Sequence, residues 1–422
     1  MTSSIETFAR ADDPAPRSAT PFSVGLLGML AGLLTLWLVR DSTALDGATR
    51  STVACLAIIA TVGAYELLVA RVYLRPSAGL TRRALRSLNI ARVAMRLASL
   101  ACIYAGIGAL YWLLPEYHGL FYRPFWSLIG TLAPYVAVAA PFYFAWMDTH
   151  QRETGDAYLL LARLLLRGER PSNWRPLREM LAGWMVKAFF LPLMTVYLSA
   201  NAAQLNASLS AALNAPFSLA TFRFMYDLSF AMDLMFGTVG YLCTLRILDS
   251  HVRSAEPTTL GWLVALICYQ PFWSLISSQY IRYEGSMFWD NWLISMPVLR
   301  IVWGSVIVAL LLCYACATMS FGLRFSNLTN RGIITSGPYR LTKHPAYIAK
   351  NLSYWMVSVP FIEPLGWQVA LMHCAALVAV NLLYFVRAKT EEKHLMNDPD
   401  YRAYAEWIAR NGLFAKITRA CR

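Results

Sequence analysis

STVACLAIIATVGAYELLVA (residues 51–70), followed at once by RVYLRPSAGLTRRALRSLNIARVAMR (71–96), decides the fold. About 20 apolar residues are what a helix needs to cross roughly 30 Å of hydrocarbon at about 1.5 Å per residue. The second stretch carries Arg71, Arg75, Arg82, Arg83, Arg86, Arg92 and Arg96 and no acid. By the positive-inside rule it lies in the cytoplasm.

Working outward, further apolar runs fall at about 21–39, 97–114, 124–146, 180–200, 217–245, 259–279, 291–318, 351–363 and 366–386, which makes ten expected spans. Counting from the arginine-rich loop puts 147–179, 246–258, 319–350 and 387–422 inside, and all four are rich in Arg or Lys. The segments at 41–50, 115–123, 201–216 and 280–290 then fall outside and are short or poor in charge. One assignment suits every loop, with both termini in the cytoplasm and the inner (plasma) membrane as the expected location.

Composition agrees. The 422 residues are 57% apolar and 14% charged, with a mean hydropathy of +0.44, which excludes an ordinary soluble domain. The net charge of +13 therefore reports topology rather than a nucleic-acid partner. The eight cysteines lie mostly within apolar runs, against a disulfide framework. Cys313 and Cys316 form a CxxC without a second pair or a nearby histidine, so packing is expected and no metal.

The expected fold is thus an all-α polytopic transmembrane helix bundle. Its parts are a disordered polar tail (1–20), a bundle of unknown role (21–290) and a C-terminal membrane module (291–422). Within the inner segment, AYLLLARLLLRGER suggests a short helix at the headgroup level or packed on a neighbour. Arg223 and Asp227, four apart at membrane depth, suggest an ion pair or a wet substrate cavity.

Chemistry concentrates in two stretches. GPYRLTKHPAY (337–347) brings Arg340, Lys343 and His344 beside a proline turn with Tyr339 and Tyr347, a surface suited to an anionic or purine-containing ligand. RAKTEEKHLMNDPDYRAY (387–404) places Arg387 and Glu391 on one helical face, with Glu392 adjacent. Pro360, Pro364 and Gly366 predict a tight hairpin of two spans between them.

These two elements, in this order and on one membrane face, resemble the isoprenylcysteine carboxyl methyltransferases and the related phospholipid N-methyltransferases. The likeness covers about 320–410. It implies S-adenosyl-L-methionine as cofactor, bound at the cytosolic surface by Tyr339, Lys343, His344, Pro345, Tyr347, Glu391, Glu392, Tyr401 and Tyr404. It also implies roles in catalysis for Arg387, Glu391 and His344. Lys343 stands where the family usually has arginine, which removes a bidentate fork.

The implied substrate is a lipophilic or lipid-modified molecule from the bilayer. Its methylated group stays open among carboxylate, amine and thiol. A carboxylate or thiolate needs no general base, whereas an amine would need Glu391, Glu392 or His344. An NADPH-dependent reductase similar to the membrane sterol reductases and a non-enzymatic transporter are the competing expectations.

Overall fold

The computed structural model describes residues 15–42, 45–216 and 218–421. Among these, fifteen α-helices account for nearly all regular structure. In chain order they are α1 (Phe22–Leu38), α2 (Gly47–Ala64, continued by a π turn, Tyr65–Val69), α3 (Ile90–Leu113), α4 (Arg123–His150), α5 (Ala157–Arg167), α6 (Arg175–Asn214), α7 (Leu219–Leu242), α8 (Thr259–Leu266), α9 (Phe272–Gln279), α10 (Trp289–Trp292), α11 (Pro297–Met319), α12 (Pro345–Ser358), α13 (Trp367–Leu395), α14 (Pro399–Asn411) and α15 (Leu413–Ala420). The only sheet among the described residues is a two-stranded antiparallel ladder, Ser254–Ala255 against Thr329–Asn330.

Among the described residues, six helical segments are long and apolar enough to cross a membrane: Gly47–Val69, Ile90–Leu113, Leu120–His150, Arg175–Asn214, Pro297–Met319 and Trp367–Leu395. The other four expected spans differ for identifiable reasons. α1 has 17 residues, bounded by Pro21 and by Arg40 and Asp41. α7 carries Arg223, Asp227 and Asp233. The run 259–279 breaks into α8 and α9 at Pro271, which has no N–H to continue the ladder. α12 stops after 14 residues at Val359 and Pro360.

The basic segments converge on one end of the bundle. Leu80 bridges Gln151, and Arg92 and Arg96 both bind Asp148, Arg96 also reaching Asp156 at 2.7 Å. Ser77 donates to Asp249 at 2.9 Å, and the Arg253 N–H donates to the Asn330 carbonyl at 2.8 Å. Elsewhere, Phe121 meets Tyr197, and Ser286 of the expected outer loop donates to Glu363 in the α12–α13 turn at 2.8 Å. α12 and α13 pack together about the turn at 359–366, and of the two only α13 has spanning length.

Two buried arginines organise the basic end. Arg331, 2% exposed, donates to the carbonyls of Gly240, Cys243, Ser250, Leu323 and Phe325 at 2.6–3.1 Å. Burial pulls its guanidinium down to about 10, so it stays charged at neutral pH. Five carbonyl dipoles replace water around that charge. Arg324 donates to the carbonyls of Leu248 and Asp249 and pairs with Glu66 and Thr20. Gly240 is required here, because a Cβ would run into the Phe325 carbonyl.

Residues 1–14 of the expected disordered tail lie outside the described residues. Residues 15–20 contradict that expectation, because they form an ordered strap over the loop that follows α11. The Ala19 N–H donates to the Ile333 carbonyl at 2.9 Å, Thr335 Oγ1 to the Pro16 carbonyl at 2.5 Å, and Arg75 to the Ala19 carbonyl at 2.8 Å. Thr20 is buried and donates to Glu66 at 3.0 Å. Short Ser, Thr and Ala side chains suit such a strap as well as they suit disorder, which is why composition misled. α5 packs Leu159, Leu161 and Ala162 inward while Leu165 and Leu166 remain exposed.

Candidate functional site

The site begins where α11 ends. The chain leaves Met319, is pinned by Arg324 and Arg331, and turns through Gly337–Arg340. Gly337 takes φ of +62°, a conformation that favours glycine. Pro345 then sits in the first turn of α12, where a missing N–H costs nothing, with His344 at its cap position. Tyr347, Lys350 and Tyr354 follow at i, i+3 and i+7 on one face of α12. Tyr384, Arg387 and Glu391 repeat that spacing on α13.

The two faces meet directly. Tyr347 Oη donates to Glu391 Oε1, and Arg387 Nε donates to the same oxygen at 3.3 Å. Arg387 Nη2 donates to Asn327 Oδ1 at 2.7 Å. Its guanidinium lies 5.3 Å from the Tyr347 ring and 5.6 Å from the Tyr269 ring. Asn327 Nδ2 donates in turn to the hydroxyls of Tyr241 and Tyr269, at 3.0 and 3.2 Å. A buried guanidinium is thus held by a carboxylate, an amide and two aromatic faces.

Glu392 fastens the loop from outside. It accepts from Lys343 Nζ at 3.1 Å and Lys389 Nζ at 3.3 Å, and bonds His344 Nε2 at 2.9 Å. The His344 ring stacks on Tyr347, with centroids 5.6 Å apart and planes within 10°. Lys343 makes the point contact that an ammonium allows.

α14 closes the arrangement. Asp398 caps it by accepting from the Asp400 N–H at 2.9 Å and takes a hydrogen bond from Asn330 Nδ2 at 2.6 Å. Tyr404 Oη donates to the Tyr339 carbonyl at 2.7 Å, and Tyr401 packs beside it on Ile333. Burial raises the phenols of Tyr339, Tyr401 and Tyr404, so they act as neutral donors and apolar walls.

These elements surround one cavity. Tyr339, Lys343, His344, Tyr347, Arg387, Glu391, Tyr401 and Tyr404 all line it. Pro345 and Glu392 do not: the first starts the helix and the second holds its neighbours in place. Arg223 is exposed, it and Asp227 form no ion pair with each other among the described residues, and neither lines the cavity. Asp233 instead accepts from Tyr314 at 2.8 Å and Thr318 at 2.5 Å.

Sequence reading missed Asn327, Tyr241, Tyr269, Tyr384 and Lys350. Lys350 was readable from its three-residue spacing to Tyr347. Tyr241 and Tyr269 lie in apolar runs with nothing to mark them; Tyr269 brings the α8–α9 break to the cavity wall, and Tyr241 of α7 supports Asn327 from behind it. The expected division at residue 290 therefore does not follow the cavity wall.

The Glu391 carboxylate, a fixed guanidinium and aromatic faces, with no group of three or more metal-ligating side chains among the described residues, suit binding and orienting a polar organic ligand. No curated protein and no solved structure matches the chain. Residues 298–397, roughly a quarter of the chain, match the model of the isoprenylcysteine carboxyl methyltransferase (ICMT) family, so the C-terminal region that carries most of the cavity wall is similar to that family.

Proposed function

We propose that the protein transfers a methyl group from S-adenosyl-L-methionine to a lipophilic acceptor drawn from the bilayer, with the basic end of the bundle facing the cytosol. The observation that carries this reading is the pairing of Arg387 and Glu391 on the cavity wall. Glu391 Oε1 is occupied by Tyr347 and Arg387, while Oε2 accepts no hydrogen bond among the described residues. Arg387 has Nε and Nη2 engaged and Nη1 without a protein acceptor. One free acceptor beside one free donor matches the ammonium and carboxylate of an amino-acid moiety.

When bound, the cofactor supplies a methyl group already activated on a sulfonium. The residues of this chain then have to hold and shield rather than activate. Glu391 Oε2 accepts from the ligand's ammonium and Arg387 Nη1 donates to its carboxylate. Asn327 and the rings of Tyr269 and Tyr347 keep the guanidinium from turning away. Tyr339, Tyr401 and Tyr404 close the cavity against water. Glu392 acts as a positioning residue through His344 and Lys343.

Calorimetric titration of the detergent-purified protein with S-adenosylhomocysteine tests this. Wild type binds, Glu391→Ala and Arg387→Met weaken binding by more than tenfold, and Glu392→Gln weakens it less. A wild-type protein that binds nothing, or variants that bind as wild type does, would overturn the reading.

A further inference from the structure

Lys350 is a cation on the cavity wall that the proposed cofactor contacts leave unused. It lies on the same face of α12 as Tyr347 and lines the same cavity. Its Nζ sits 5.6 Å from the Tyr314 ring, 5.8 Å from Tyr354 and 5.3 Å from Tyr384, which come from α11, α12 and α13. A lysine this near a helix N-terminus on a lipid-facing surface would run its ammonium outward to the headgroups. This one turns inward.

Among the described residues, no carboxylate comes within ion-pair distance of it. Asp233, which shares Tyr314 with it, is already engaged by Tyr314 and Thr318, so Tyr314 gives its hydroxyl to Asp233 and its ring to Lys350. The Tyr354 and Tyr384 hydroxyls approach the ammonium but bring no charge. Aromatic faces stabilise a cation without neutralising it. A cation held at a cavity wall with no counter-ion from its own chain is a site for an anion brought by a ligand.

Position indicates what kind of ligand. Tyr384 lies seven residues before Glu391 on α13, about 10 Å deeper along the helix at roughly 1.5 Å per residue. Tyr384 is packed on its far side in an apolar cluster with Leu377 and Val380, against which Trp273, Tyr354 and Trp355 rest.

We infer that Lys350 and its three tyrosines form an anion subsite that takes the carboxylate or phosphate head of an amphiphile, distinct from the Arg387 and Glu391 contacts. This deepens the methyltransferase reading, on which it rests for the word acceptor, by giving the acceptor's polar end a negative charge. It disfavours a protonated amine there.

The test is titration of the full-length protein in nonionic detergent with decanoate, decyl phosphate, methyl decanoate and decyltrimethylammonium, on wild type, Lys350→Met and Lys350→Arg. Micelle partition is common to all three proteins, so ratios between them report the side chain. Decanoate or decyl phosphate should bind at least tenfold more weakly to Lys350→Met and within threefold of wild type to Lys350→Arg. Methyl decanoate should not distinguish the three, and the ammonium should not bind better to wild type than to Lys350→Met. Whichever anion shows the larger ratio names the headgroup.

Equal anion binding to wild type and Lys350→Met, or an equal loss for the neutral ester, overturns the inference. Titration with S-adenosylhomocysteine separates the two readings. Lys350-dependent anion binding in a protein that ignores S-adenosylhomocysteine would leave the subsite standing and remove the methyltransferase. If Lys350→Met does not fold, the same ratios are read on Lys350→Gln.

Discussion

Asn327→Ala would strike the joint on which the site turns. The amide is 7% exposed and makes three side-chain hydrogen bonds, one to the Arg387 guanidinium and two to tyrosine hydroxyls. A hydrogen bond to a charged group contributes about 1.5–3 kcal/mol net and a neutral one about 0.5–1.5, so the three together come to about 2.5–6 kcal/mol. The Asn327 backbone N–H keeps its bond to Tyr241, and water from the cavity can replace part of what is lost. The expected destabilisation is therefore about 2–3 kcal/mol. Denaturant unfolding in detergent micelles measures it, and S-adenosylhomocysteine titration of the same protein should show at least a tenfold loss, because Arg387 would keep only Glu391 and its ring contacts. Stability within about 0.5 kcal/mol of wild type, with unchanged binding, would mean that Glu391 and the rings hold the guanidinium by themselves and that Asn327 is not the joint.

Two further outcomes follow from the basic end of the bundle. Gly240→Ala places a methyl group against the Phe325 carbonyl, which Arg331 also binds, and should cost about 1–3 kcal/mol. Gly106→Ala in α3, where nothing lies within 4 Å, should be neutral or stabilising, and similar melting temperatures for the two variants would refute the close approach. His251 is held well below the ordinary imidazole range, first by burial and then by Arg246, Arg253, Arg331 and Arg324. The unfolded chain therefore takes up a proton below about pH 6.5 that the folded protein refuses, so stability falls with acidification by about 1.4 kcal/mol per pH unit from this group. Wild type should lose more stability between pH 7 and pH 5 than His251→Gln, and parallel pH profiles would refute it.

What could be read from the chain divides along physical lines. Arginine placement partitioned the loops because charge near a membrane is costly on the wrong side, and the structure gathers Arg92, Arg253 and Arg331 at one end. The cavity's polar rim was legible because its residues are compressed into 337–347 and 387–404, where spacing fixes which side chains share a helical face. The inner wall was not. Tyr269 and Tyr314 are aromatic residues within apolar runs, and only packing of the α8–α9 break and α11 around the cavity turns them into a lining, while Tyr241 of α7 holds Asn327 from behind. Six rather than ten helices reach spanning length and apolarity for a related reason, since hydropathy averages over Pro271 and over the three charges of α7, whereas helix continuity does not.

The strap at residues 15–20 sets an order of events during synthesis. Ser18 leaves the ribosome more than 300 residues before Thr335 and Ser336, the groups it will bind. Glu66 likewise waits for Arg324 across 258 positions. Until the last quarter of the chain is inserted, Glu66 lacks its arginine and the strap has only Glu66 and Arg75 as partners. The turn that carries Gly337 cannot settle until both ends of the chain meet. Assembly of the ligand cavity is in this sense a late docking of the two chain ends rather than the local folding of a C-terminal unit, so a C-terminal fragment produced alone should fail to form it.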